Sequence, residues 1–284
     1  MQEFSAKTAV ITGGASGIGL AMAHRFGSAG MNLVLGDVEH EALDSATAEL
    51  TDAGFEVASM QLDVSDLDGV VAFEEFARES FGNVHVLCNN AGVGAGGLVA
   101  DRGNLDLWKW TIDIDLWGPI YGCKVFLPAM IAHGEEAHVV NTASMAGHLS
   151  APMMGAYNVA KYGVVALSET LSKEMQMLKT NVGVSVLCPA FVATRIASSD
   201  RNLPDELRAA RLDGGTGAVA SRTRTAMEDM VAAGIPTADV AEAVFDAVAD
   251  DRFWILTHPE TKQAVTDRAR EIVEGVNPTL TAPI

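Results

Sequence analysis

The stretch "TAVITGGASGIGL", residues 8–20, decides the fold. Its first five residues are apolar or β-branched, the composition of a short buried strand. Gly13, Gly17 and Gly19 follow, permitting a tight turn and close approach of backbone to a phosphate. A helix starting there presents free N–H groups and a positive dipole end to the same point. A glycine loop alone is a weak signal, and its context strengthens it. A second apolar run, "NLVLG" at 32–36, ends in Asp37. That acid lies 18 residues beyond Gly19, near the roughly 20-residue spacing of a carboxylate that binds an adenosine ribose.

Outward from this unit the pattern repeats. Strand-like runs occur at 57–60, 84–88, 138–143, 182–188 and 253–256, most of them bounded by Gly, Asn, Asp or Pro. Between them, 40–50, 66–80, 105–132, 155–178 and 237–249 carry helical periodicity. Continuous apolar strands alternating with helices predict an α/β fold, with parallel pairing and helices on both faces of the sheet. Residues 1–284 read as a single domain. The exception to the regular order is 195–235, with "DGGTG" at its centre, far longer than an ordinary connection. Its place after the sixth strand predicts a lid over a ligand, because open α/β sheets bind at that edge.

Composition narrows the function. Acidic residues outnumber basic ones 37 to 19, for a net charge of −18, which argues against a nucleic-acid partner. No apolar run approaches the roughly 18 residues of a membrane span, and the first residues lack the pattern of a signal peptide. Cys88, Cys123 and Cys188 are widely separated, show no metal-type spacing and fit a reducing compartment. A cytoplasmic protein without a metal site is the expectation. Asp37 repels a 2′-phosphate and position 38 is Val, which favours NAD over NADP.

The chain has only three tyrosines, Tyr121, Tyr157 and Tyr162. In "GAYNVAKYG", 155–163, Tyr157 stands four residues before Lys161 and thirteen after Ser144 of "NTASMAG". Taken in order, "TGGASGIG", "NNAG" at 89–92, Ser144 with Tyr157-x-x-x-Lys161, and "PAFVATR" at 189–195 resemble the short-chain dehydrogenase/reductase family. The resemblance runs from about residue 5 to 260. It implies a Rossmann-type, doubly wound parallel sheet of seven strands, and a homodimer or homotetramer. It places Ser16 and Ile18 at the pyrophosphate beside Gly13, Gly17 and Gly19, and Asp37 at the ribose. Asp63 and Val64 of "LDVSD" fall beside the adenine, and Asn90, Ala91 and Gly92 along the cleft. Val192 and Thr194 fall at the carboxamide, while Tyr157 and Lys161 also contact the cofactor. It makes Ser144, Tyr157 and Lys161 catalytic. Two positions depart from the family pattern: Ala190 replaces a glycine, and "DLWG" puts Asp115 where the family has a catalytic Asn.

Physical chemistry accounts for the set. A free tyrosine has a pKa of about 10, too high for a base at neutral pH. Tyr157 and Lys161, four apart, share one helix face. A cation about 4 Å away is worth roughly 4 kcal/mol at an effective dielectric near 20, about three pKa units. Ser144 would hold the substrate oxygen against the phenol.

By the same resemblance Val93, Gly94, Leu149, Met153, Met154 and Phe191 line an apolar pocket. His148 is a candidate polar contact, and Trp108, Trp110 and Trp117 are packing or interface anchors. The reading is an enzyme that transfers hydride between NAD and a small-molecule secondary alcohol or ketone with a hydrophobic or aromatic skeleton. The alternatives are an NADPH-dependent carbonyl reductase and a catalytically weak NAD-binding regulator. Asp37 opposes the first. The intact Ser–Tyr–Lys set opposes the second, and Asp115 alone favours it.

Overall fold

Seven apolar segments, each separated from the next by helix, leave parallel pairing as the way to build one sheet, and the sheet is parallel throughout. The computed structural model describes residues 1–94, 96–208 and 218–279. The strands are β1 (Thr8–Thr12), β2 (Asn32–Asp37), β3 (Val57–Gln61), β4 (Val86–Asn89), β5 (Ala137–Thr142), β6 (Val182–Leu187) and β7 (Trp254–Ile255). Their order is β3-β2-β1-β4-β5-β6-β7. The direction of winding reverses between β1 and β4, so the loops after these two strands diverge and leave a crevice between them.

Strand alternation feeds two cores. Ala9 and Ile11 of β1 face one layer and Val10 the other. The first layer holds α1 (Gly17–Ser28) and α8 (Thr237–Ala249), with Phe26, Val240 and Val244 fully buried. The second holds α3 (Leu67–Phe81), α5 (Gly118–Ala132) and α6 (Gly155–Leu178), where Phe73 meets Phe126 edge-on at 6.2 Å. The helix α2 (His40–Asp52) packs beside β2 and β3.

The segment 105–132, which reads as one helix in sequence, is interrupted. It comprises α4 (Leu105–Ile112), a π-helical turn Asp113–Trp117, and α5. Gly118 N–H donates to the Asp113 carbonyl, five residues back. Pro119 has no N–H to close an α turn onto the Asp115 carbonyl, so the sequence itself loosens the helix there. The widened turn directs Asp115 into the interior, with no exposure to solvent.

The excursion 195–235 contains a short 3₁₀ run (Ile196–Asn202), helical residues 205–208 and a further helix, α7 (Ala218–Ala232). Its "DGGTG" centre lies outside the described residues. A last helix, α9 (Lys262–Glu274), was not anticipated from sequence. Val265, Ala269 and Ile272 recur along it at helical spacing, a stripe the sequence reading passed over, and none of its residues is fully buried.

Candidate active site

The crevice is a cleft of about 1830 Å³ along the C-terminal ends of the strands. That exceeds the 300–1,000 Å³ typical of one small-ligand cavity and leaves room for two ligands side by side. Its floor begins at the glycine loop. Gly13 and Gly17 have φ of +64° and +57°, a backbone region that other residues avoid. A Cβ on Gly19 would lie 2.0 Å from the Gly13 carbonyl oxygen, so the loop closes on itself only with glycine there. Ser16 caps α1 without a side-chain hydrogen bond, so its hydroxyl does not take up the helix's first N–H groups.

The crevice walls are tied together. Thr12 Oγ1 accepts from the N–H groups of Asn90 (2.9 Å) and Ala91 (3.1 Å), and Asn90 Nδ2 donates to the Thr12 carbonyl at 3.0 Å. The loop after β6 closes from the other side, where a Cβ on Gly17 would meet Thr194 Cγ2 at 3.3 Å. Asp37 ends β2 at the rim, its carboxylate accepting from Ala15 N–H and Glu39 N–H, both at 3.0 Å. Burial raises its pKa above the usual carboxylate value, against the pull of those N–H groups. Asp63 also lines the cleft but spends Oδ1 on the N–H (2.9 Å) and hydroxyl (2.7 Å) of Ser65. Of the positions expected to contact cofactor or substrate, Gly19, Asp115 and His148 do not line the cleft.

The cleft also carries a cluster that sequence spacing did not reveal. Glu39 binds Arg201 through Nε at 2.8 Å and Nη2 at 2.7 Å, Asn202 at 3.0 Å and Arg195 at 3.5 Å. Burial opposes ionisation of Glu39, but the Arg201 and Asn202 hydrogen bonds prevail and lower its pKa. The contact spans 162 residues of sequence, out of reach of any local pattern. It ties the Asp37 end of the cleft to the excursion after β6.

Deeper in, three strand ends and α6 bring the chemical groups together. Ser144, just past β5, accepts from Ala146 N–H at 3.1 Å and donates to the Pro189 carbonyl at 3.3 Å. Tyr157 and Lys161 occupy the first two turns of α6 and are 8% and 2% exposed. Lys161 Nζ donates to the Thr142 carbonyl at 3.2 Å and lies 4.0 Å from Asp115 Oδ2. It stands 5.5 Å from the centroid of the Tyr157 ring. Asp115 Oδ1 accepts from Val93 N–H at 2.8 Å, while buried Oδ2 has no hydrogen-bond partner. Burial lifts the Asp115 pKa from 3.8 to about 6, with the Lys161 charge and the Val93 N–H resisting.

These distances change the sequence expectation for Tyr157. Its phenol is pushed above its ordinary pKa, first by burial and then by the Asp115 charge, while the Ser144 hydroxyl works the other way. Lys161 does not act on the phenol alone, because the carboxylate beside it shares its charge.

Val93, Gly94, Leu149, Met153, Met154 and Phe191 all line the cleft as expected. Gly97 N–H donates to the Met153 carbonyl at 2.6 Å, joining two pocket loops and holding Met153 at a φ of +67°. Trp110 also faces the cleft, unlike the anchor role read for it, whereas Trp108 packs on Gly155 and Trp117 is 44% exposed. His148 does not reach the cleft; it packs 5.4 Å from the Trp254 ring, and burial lowers its pKa. Met227 and Met230 from α7 and Ala264 and Arg268 from α9 complete the wall.

Comparison with known proteins agrees with this geometry. Residues 7–204 match the family described as short chain dehydrogenase. A CLA biosynthesis dehydrogenase/reductase from Lactiplantibacillus plantarum is 30% identical over 96% of this chain and 95% of its own length. A 1-deoxy-11-beta-hydroxypentalenate dehydrogenase from Streptomyces exfoliatus is 30% identical over 95% of this chain and 90% of its own. The crystal structure of a short chain dehydrogenase/reductase from Burkholderia phymatum in complex with NAD superposes with a TM-score of 0.94 at 41% identity, covering 100% of both chains. A glycine loop at the switch point, Ser144, Tyr157 and Lys161 around one cleft, and these full-length likenesses place the chain in the short-chain dehydrogenase/reductase family.

Proposed function

We propose that the chain is an NAD-dependent dehydrogenase that interconverts a secondary alcohol and its ketone on a hydrophobic or aromatic skeleton. The observation that carries the reading is the convergence of Ser144, Tyr157 and Lys161 on one cleft whose other end is closed by Asp37. The cleft fits a dinucleotide: its glycine cradle excludes Cβ atoms, and the Asp37 carboxylate stands at the end of β2 on its rim. A neighbour of known structure holds NAD, and a relative acts on a hydroxypentalenate. Gly13, Ser16, Gly17 and Ile18 would hold the pyrophosphate, Asp37 the adenosine ribose, Asp63 and Val64 the adenine, and Val192 and Thr194 the carboxamide. Bound NAD would supply the carbon that accepts the hydride and, when oxidised, a positive charge that favours the phenolate.

The protein's own groups handle the proton. Ser144 donates to the substrate oxygen and fixes it beside the phenol. Tyr157 Oη takes the hydroxyl proton in oxidation and returns it in ketone reduction. Lys161 stabilises the phenolate, and Asp115 sets how much of that cation the phenol feels. Water is limited because Tyr157, Lys161 and Ser144 are all buried. The partners proposed are a small alcohol or ketone and further copies of the chain as a homodimer or homotetramer, the latter favoured by exposed Leu105, Trp117 and Val159. Cys88, Cys123 and Cys188 are free and buried, which supports a cytoplasmic setting. Among the described residues no helix is long and apolar enough to cross a membrane.

The segment 195–235 acts as the substrate lid in this reading. Arg195 and Arg201 clasp Glu39, Ser199 Oγ accepts from Gly94 N–H at 2.9 Å, and α7 turns Met227 and Met230 to the cleft. Its closure should then depend on what fills the cleft.

Three measurements test this account. A panel of secondary alcohols with NAD, read by NADH absorbance, should show turnover; Tyr157→Phe should lower kcat by about 100-fold or more with NAD affinity nearly unchanged. Near-normal turnover in that variant would mean the base is another group. Asp37→Ala should erode the preference for NAD over NADP by about tenfold or more, since a charge opposing the 2′-phosphate is gone; a wild type that uses both cofactors equally well contradicts the assignment. Hydrogen exchange across 195–235 should slow when NAD and substrate are added, and equal protection in both states would remove the lid.

A further inference from the structure

Four basic side chains among the described residues line the cleft: Lys161, Arg195, Arg201 and Arg268. Three of them are matched by acids. Lys161 faces Asp115 at 4.0 Å, and Glu39 holds Arg195 at 3.5 Å and Arg201 at 2.7 Å. Arg268, half-buried on α9, has no hydrogen bond or ion pair with any described residue. Shortage of acids is not the reason, in a chain with 37 acidic and 19 basic residues. The acids nearby on α9 are engaged elsewhere. Asp267 binds Arg270 at 3.1 Å and accepts from Gln263 at 3.0 Å, and Glu271 accepts from Thr279 Oγ1 at 3.4 Å.

What holds Arg268 in place is an aromatic ring. Its guanidinium carbon lies 5.1 Å from the centroid of Tyr162, whose hydroxyl is 3.5 Å from the Ser150 hydroxyl at the cleft wall. A cation–π contact uses the charge of the guanidinium and leaves its N–H fork without acceptors. The cleft it lines carries the apolar side chains Leu149, Met153, Met227, Met230 and Ile272, alongside the already engaged acids Asp267 and Glu271. A ligand that satisfies both features has an apolar body and one planar anionic end, and a carboxylate matches the guanidinium fork in shape and charge.

We propose that Arg268 is a specificity-determining residue that binds a carboxylate on the substrate, at a position separated from the reacting hydroxyl by several carbons. The separation follows from α6: Tyr162, which supports Arg268, is five residues beyond Tyr157, about 7.5 Å along the helix and on a different face. The substrate class is therefore a hydroxy or keto acid with an apolar chain between its two ends. This deepens the dehydrogenase reading and rests on it for the hydroxyl end, while the anion subsite can be measured without turnover.

The test titrates the NADH-loaded protein with octanoate and with methyl octanoate, following the fluorescence of Trp110 and the other tryptophans. Wild type should bind octanoate roughly tenfold or more tightly than the ester, as a charge-assisted pair provides. Arg268→Gln should lose that preference and keep its ester affinity within about twofold, with an unchanged thermal midpoint showing that α9 remains docked. Arg268→Lys should retain part of the preference, because a point charge replaces the fork. A wild type without preference, through equal binding or through binding of neither probe, overturns the subsite, as does a preference that survives in Arg268→Gln. Oxidation of 7-hydroxyoctanoate and octan-2-ol with NAD is measured in parallel. Failure of both to yield NADH counts against the dehydrogenase reading, whereas turnover of both with equal kcat/KM counts against Arg268 alone.

Discussion

An ammonium group at 2% exposure has to be compensated where it sits, and Lys161 is compensated by one carbonyl and one carboxylate. The carbonyl is Thr142, at the end of β5; the carboxylate is Asp115, turned inward by the π-helical interruption. The attraction at 4.0 Å is worth about 4 kcal/mol at an effective dielectric near 20. Each group of the pair offsets part of the cost of burying the other. Around it the rest of the site is fixed: Asp115 holds the Val93 loop, Lys161 holds α6 to β5, and Tyr157 lines the cleft beside Lys161.

The pair also sets the electrostatics. A cation beside the phenol favours phenolate, and a carboxylate beside the cation takes part of that effect back. Asp115, with a pKa of about 6, is ionised above that pH and protonated below it. The Tyr157 phenol is therefore harder to ionise in the pH range where the proposed alcohol oxidation would use it as a base. An Asn in this position would leave the cation whole. The backbone contribution is separate, because Pro119 leaves the Asp115 carbonyl without an α-type donor whatever the side chain.

Much of this was legible in sequence because it is local. The strand–glycine–helix unit, Asp37 at the end of β2, and the Tyr157–Lys161 spacing each lie within one or two elements, where periodicity and turn chemistry operate. The seven strands follow from apolar runs that sit in the sheet within one or two residues of their expected bounds. What was not legible is made by tertiary packing. The Glu39 clasp joins residues 162 positions apart. The α9 helix carries an apolar stripe, Val265, Ala269 and Ile272, that the sequence reading passed over, but that Arg268 faces the cleft is set by tertiary packing. Trp110 and His148 were each assigned by neighbourhood in sequence, and the fold turned the first toward the cleft and the second against Trp254.

The pH dependence of alcohol oxidation reads directly whether ionised Asp115 weakens the effect of Lys161 on Tyr157. The measurement is kcat/KM across pH for wild type and Asp115→Asn. With the carboxylate removed, the cation acts undivided, the phenolate forms more readily, and the acid limb of the profile should move to lower pH by ~0.5–1 unit, since a partly screened charge is worth about 1 kcal/mol. A limb that stays in place or moves to higher pH would show that the Asp115 charge does not reach the Tyr157 phenol.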